Sequence, residues 1–284
     1  MLEFIRRSLL ALSVRTFFLL LFVSSLIPAL LPSPALAAPQ TTARDSQAVS
    51  LIQSSLTALT GSAAVNDATL QATASYVAGS DRESGSALMV GRLTQESIVQ
   101  LTLSGGTRQE IRNGNAGAWS GPDGTLHSTA IHNCWTDATW FFPALTLEAL
   151  ASNTQVGLTY FGTDTSKGTA LIHVQAALLV SGLTASGSAI QPLSTMDLYF
   201  DPKALVPLFL DFNTHPDTDA NTNLPVEIQF GNYQVSNGWL VPAHIQKYLQ
   251  RTLLLDVTVT NVLVNSGVPA SEFTLPSPTS GGAQ

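Results

Sequence analysis

Apolar and polar residues follow two different periods along this chain. Ala48, Val49, Ile52, Leu56 and Leu59 recur at helical spacing, with Asp45 before them and Gly61 after them. A carboxylate ahead of the first turn and a glycine beyond the last are helix start and stop signals, so one amphipathic helix is expected here. Beyond it the period becomes two: Leu70, Ala72, Ala74 and Tyr76 alternate with Thr69, Gln71, Thr73 and Ser75. Such alternation marks a half-buried strand. Similar runs predict strands near 69–78, 85–93, 96–104, 107–113, 155–162, 169–178, 194–200, 206–212, 224–235, 239–248 and 252–264. Turn chemistry separates them, as in Ser104-Gly105-Gly106, Asn113-Gly114-Asn115, Asp164 to Gly168 and Asp201-Pro202. The fold class is therefore mainly β, an α+β chain of mostly antiparallel sheet with a few helices.

The sharpest local signal lies between Gln229 and Ile245. Asn237-Gly238 between alternating apolar arms predicts a two-residue hairpin, because a type I′ turn needs positive φ at both central residues. Pro242 then raises a question of pairing. Proline has no N–H to donate to a ladder, so its strand must lie at an edge, carry a bulge or begin its pairing late.

Two stretches break the strand pattern. Residues 134–152 look helical, with Pro143 suited to the first turn of a helix ending near Ser152. Trp135, Trp140, Phe141, Phe142, Leu145, Leu147 and Leu150 crowd this one segment, which is more apolar surface than a helix with one wet face needs. Two readings stay open: plain core packing, or a lid over an apolar pocket whose lining would include Trp135, Trp140, Phe141, Phe142 and Leu145. Roughly 180–192 is rich in Gly, Ser and Ala and reads as a loop or a weak edge strand.

Composition changes the picture at the N-terminus. Arg6, Arg7 and Arg15 precede the apolar run Phe17 to Leu31, and Ala35-Leu36-Ala37 follows as a small-x-small cleavage site. This reads as a signal peptide over 1–37, cleaved after Ala37; the alternative is a retained anchor, for which the run is short. No cysteine stands at the site, so the lipobox of a lipoprotein is missing. Residues 38–276 are expected to form a single domain and 277–284 a disordered tail. Of 284 residues 45% are hydrophobic, ample for one core, and only 11% are charged. The formal net charge is -7 and no basic run occurs, which argues against nucleic acid as a partner. Cys134 is the one cysteine, so no intramolecular disulfide can form.

Candidate chemistry is sparse. The nucleophile elbow, the zinc-protease motif, the P-loop and the dinucleotide fingerprint are all missing, and only a triad assembled across the fold would make a hydrolase. Asp123, His127, His132 and Cys134 are the nearest approach to a metal cluster, but their spacing fits no standard zinc site. Asp217, Asp219, Asn221 and Asn223 alternate like a calcium loop, yet Thr222 replaces the required glycine and Ile228 stands where the bidentate glutamate should be. Neither a metal nor a cofactor is expected.

The C-terminal half carries a more specific succession: Asp201-Pro202-Lys203 to Pro207, Phe230 to Tyr233, Asn237-Gly238 to Pro242, Asn261 to Asn265, Val268-Pro269, and Phe273-Thr274-Leu275-Pro276. It resembles the bacterial outer-membrane lipoprotein carriers, the LolA-like proteins of the lipoprotein-sorting superfamily. Gly91-Arg92 and Asn113-Gly114 after an N-terminal helix are similar too. The resemblance implies an incomplete antiparallel β-barrel with covering helices. It also implies a soluble periplasmic or secreted protein that holds a lipid or lipoprotein acyl chain, with membrane donor and acceptor proteins as further partners and no covalent catalysis. An envelope protein that uses its sheet surface without a ligand is the alternative.

Overall fold

The computed structural model describes residues 44–93, 95–179 and 190–276. The leader, the tail and most of the Gly/Ser/Ala-rich stretch lie outside them. The described chain opens with α1 (Ser46–Thr60), where the Asp45 carboxylate accepts from the backbone N–H of Gln47 and Ala48 and Gly61 closes the helix at φ 61°. Both ends fall where the sequence set them.

The sheet follows in two meanders. The first runs outward through β1 (Asp67–Ala78), β2 (Asp81–Arg92), β3 (Glu96–Leu103), β4 (Gly106–Asn113), β5 (Ala116–Ser120) and β6 (Leu126–Thr129). A 3₁₀ turn, Ile131–Cys134, and α2 (Pro143–Ser152) then cross to the far edge. The second meander returns through β7 (Val156–Asp164), β8 (Leu171–Leu178), β9 (Met196–Phe200), β10 (Pro207–Thr214), β11 (Leu224–Ser236), β12 (Trp239–Leu249) and β13 (Thr252–Val264). The 13 strands form one sheet in which β1 pairs with β13, while β6 and β7 are its two edges. All the pairings are antiparallel, and the edges do not meet, so the barrel stays open.

The β1–β13 seam is clamped at its end. The Asp67 carboxylate, 4% exposed as a residue, accepts from Ser266 N–H (2.8 Å), Ser266 Oγ (2.9 Å) and Gly267 N–H (3.0 Å). Asn265 completes it: Nδ2 donates to Ala64 O at 2.8 Å, and Oδ1 accepts from Asn66 N–H at 2.8 Å. A one-residue slip would break all of these and turn the inward row Ala68, Leu70, Ala72 and Ala74 outward.

Pro242 finds its place through late pairing. Its strand is interior, but only β11 lies opposite it, at Tyr233, while pairing of β12 with β13 begins at His244 and Thr258. Asn237 (φ 51°) and Gly238 (φ 83°) supply the expected turn. On the other side Thr260 is bulged out of the β1 ladder and donates from Oγ1 to Gln71 O. The sheet splays there, and α1 packs against β12 and β7.

The inner face of the sheet carries the core. α2 is buried almost all round, from Pro143 through Leu147 and again at Ala149 and Leu150, because the sheet lies on one side and α1 on the other. Arg44 ties the start of α1 to the end of α2, its guanidinium donating to the carbonyls of Leu150, Ala151 and Asn153 there and of Val156 at the start of β7. Only 143–152 of the segment 134–152 is α-helical; the aromatics before Pro143 sit in irregular turns, since proline starts the helix rather than continuing one. The strands β5 and β6 are additions to the sequence reading.

Removing the Asp67 carboxylate strips three donors of their acceptor. Asp67→Ala is expected to lower stability by about 2–3 kcal/mol in denaturant unfolding, with faster amide exchange along β1 and β13.

Candidate functional site

Curvature brings distant strands face to face. The inward rows of β4 and β5 and those of β10 to β12 line common cavities, although five strands separate β5 from β12 in the sheet order. A chamber of about 430 Å³ lies between Val99 and Leu101 on one wall and Leu254 and Leu255 on the other, with Tyr76 and Trp140 between. It continues into a chamber of about 350 Å³, the two sharing Glu110, Trp119, Trp140, Lys247 and Leu254. Together they form one groove, apolar at one end and charged at the other. A separate cavity of about 520 Å³ lies beside α2, against Trp135, Thr146, Leu150 and Met196.

The five residues singled out from sequence divide between core and cavity. Phe141 and Leu145 are fully buried and Phe142 is 1% exposed, and none of these three lines the cavities above. Phe141 and Leu145 pack on the sheet at Gly91, where a β-carbon would come within 2.8 Å of Thr139 Cγ2 and 3.3 Å of both Leu145 Cδ1 and the Phe141 ring. That close approach is what the glycine allows. Trp135 borders the cavity beside α2, while Trp140 stands between both chambers of the groove.

A polar clasp closes the charged end where no strand bridges the gap. Asn133, in the 3₁₀ turn after β6, donates from Nδ2 to His215 O (2.8 Å) and accepts at Oδ1 from Thr214 Oγ1 (3.1 Å) and His215 N–H (2.8 Å). Asp217 accepts from Ala130 N–H, and His132 Nε2 lies 3.1 Å from Pro216 O. The loop compared above with a calcium site thus gives Asp217 to this clasp, and Asp219 is occupied by Asn221 N–H and Thr222 Oγ1. Of the four residues weighed as zinc ligands, His132 joins the clasp and Cys134 is buried nearby; His127 stacks on Trp119, and Asp123 caps its own turn at Thr125. Among the described residues no three such side chains group to hold a metal.

Charges line the inner face of β4. Arg108 makes a two-pronged ion pair with Glu83 (2.9 and 2.6 Å) and lies over the Tyr76 ring, and this guanidinium holds the Glu83 carboxyl below the usual range. Lys247 Nζ sits 4.5 Å from the centre of the Trp140 ring. Burial pushes its ammonium below the ordinary lysine range; Glu110 opposes that shift and Arg112 adds to it. Asp137 lies beside both the cavity next to α2 and the chamber of about 350 Å³, accepting from Thr139 N–H and Oγ1 and sharing a hydrogen bond with Thr146 Oγ1. Burial raises its carboxyl, more than these hydrogen bonds lower it. Sequence reading missed Arg112 and Lys247, although the signal was there: Lys247 interrupts the inward row Trp239, Val241, Ile245, Leu249.

No family model matches the chain, and no curated protein sequence does. Solved structures to which it is similar include a LolA superfamily protein from Nitrosomonas europaea, at 9% identity over 80% of this chain and 97% of that one, with a TM-score of 0.49. A DUF1329 family protein from Desulfovibrio piger is similar at 10% identity over 82% and 98%, TM-score 0.49. Lipoprotein LppX of Mycobacterium tuberculosis is similar at 11% identity over 79% and 98%, TM-score 0.26.

Asp137 carries a pH signature. An unfolded aspartate loses its proton near about 3.9. With the folded carboxyl raised, the unfolded state binds fewer protons between the two values, so stability falls as pH rises through that window. Asp137→Asn keeps an oxygen for Thr139 and gives an N–H to Thr146. The variant is expected to lose the fall and to match or exceed the parent at pH 7; equal slopes in pH-dependent unfolding would contradict this.

Proposed function

We propose that this is an exported binding protein that carries a lipid or lipoprotein acyl chain in the groove between β3–β5 and β12–β13, with no covalent step. The observation that carries the reading is the apolar chamber. Its lining includes Val99, Leu101, Leu254, Leu255, Tyr76 and Trp140 together with the charged Arg108, Glu110 and Lys247, and its volume of about 430 Å³ falls within the range of small-molecule sites. Hiding a chain from water is favourable by about 0.8 kcal/mol per CH₂, so a groove of this kind holds its load by burial alone and releases it to a site that buries it better. The leader over 1–37 supports export.

Trp140 is a wall of the groove in this reading, while Phe141, Phe142 and Leu145 hold the adjoining core. Trp135 belongs to the second cavity and serves as a further apolar lining. The crowding of aromatics before Pro143 then has two uses, packing against Gly91 and facing the ligand.

The test fills the chamber. Leu254→Trp is expected to weaken binding of a fluorescent fatty-acid probe at least about tenfold, near 1.4 kcal/mol, while the far-UV circular dichroism and unfolding midpoint hold. Phe141→Ala should do the reverse of a site mutation and destabilise the fold by about 3–5 kcal/mol. Unaltered probe binding in Leu254→Trp would remove the groove from consideration.

A further inference from the structure

The charged end of the groove contains donors that the protein itself leaves unused. The Arg112 side chain is 7% exposed, and its Nε–H has no partner among the described residues. One terminal nitrogen donates to Thr136 O at 3.3 Å; the other stands 3.9 Å from Glu110 Oε1, beyond hydrogen-bond reach. Lys247, across the groove on β12, contacts the Trp140 ring and has no carboxylate at ion-pair distance among the described residues. His215 is 4% exposed and its Nε2 is also buried without a partner among the described residues. Its Nδ1 faces Thr222 O, which assigns the proton there and leaves Nε2 bare, an acceptor for a hydroxyl.

The acids near them are otherwise engaged. Asp217 accepts from Ala130 N–H and Asn133 Nδ2, and Asp137 is held by Thr139 and Thr146. Glu110 also lines the groove, 3.9 Å from Arg112, but its side chain is 38% exposed and its charge is shared with solvent. A buried guanidinium N–H without an acceptor is costly, and a charge-assisted bond from an anionic oxygen is among the strongest ways to satisfy it. The chamber holding these groups adjoins the apolar one at Trp140 and Leu254, which line both.

We propose that Arg112 and Lys247 bind the anionic oxygens of an amphiphile's head group between β4 and β12, while its chain occupies the apolar chamber. The inference rests on the carrier reading and adds a ligand class to it: single-chain or multi-chain lipids with a phosphate or carboxylate head. The anion joins the two walls of the open barrel by salt links, and Nε2 of His215 accepts from a hydroxyl of the same head.

The test compares three amphiphiles of equal chain length, dodecyl phosphate, dodecanoate and 1-monododecanoylglycerol, each below its critical micelle concentration, by calorimetry on the full chain. At least one anion is expected to bind about tenfold or more tighter than the neutral glyceride, and whichever anion binds tighter assigns the phosphate or the carboxylate. Lys247→Met keeps an apolar stem over Trp140 and is expected to remove most of that preference, read as the ratio of anion to neutral affinity within the same variant. Arg112→Gln should act alike, and if it unfolds, Lys247→Met decides alone. Equal affinities in the parent, or a preference that survives Lys247→Met, would overturn the head-group assignment and leave the carrier reading standing. Failure of all three compounds to bind would overturn both.

Discussion

The pairing of β1 with β13 is the constraint on which the rest of this molecule depends. It joins residues nearly two hundred positions apart, from Ala68 with Val264 to Tyr76 with Leu255, and so unites two meanders that otherwise share no strand contact in the sheet. The Asp67 and Asn265 bonds fix the register at one end, and the bulge at Thr260 bends the seam where β12 departs. With the centre fixed, the free edges β6 and β7 fall at opposite ends of a curved sheet. An open curved sheet has an apolar inner face that must be covered. The crossing segment from Ile131 to Ser152 and helix α1 do this for one part of the face. The part they leave is the groove.

Much of this frame was legible in the sequence. Asp45 and Gly61 bounded α1, Pro143 started α2, and eleven of the strands stood out as alternating runs. The two that did not, Ala116–Ser120 and Leu126–Thr129, are short, and Gly117 and Ser128 carry little pattern; pairing of β5 with β4, and of β6 with β5, makes them strands. Pro242 could be read only as a choice among edge, bulge and late pairing. The register of a third strand, β13, decides the matter, and no local pattern encodes it.

The site was less legible, for a physical reason. Aromatic crowding at 135–150 marks burial, but burial against a sheet and burial against a ligand look alike in one dimension. The fold separates them through Gly91, which draws Phe141 and Leu145 onto the sheet and leaves Trp140 at the groove. The charged residues were visible by a different route. Arg108, Glu110 and Arg112 alternate on β4 with Lys247 opposite, so four ionised positions point inward in a chain with few charges. One of them is neutralised by Glu83, and the others shape the polar end.

The central claim is one of place: the ligand lies between β3–β5 and β12–β13, not in the cavity beside α2. Hydrogen exchange followed by mass spectrometry, with and without a saturating fatty acid, reads this directly. The account expects slowed exchange in residues 99–120 and 247–255. Protection confined to 153–156 and 177–179, or no change anywhere, would contradict it.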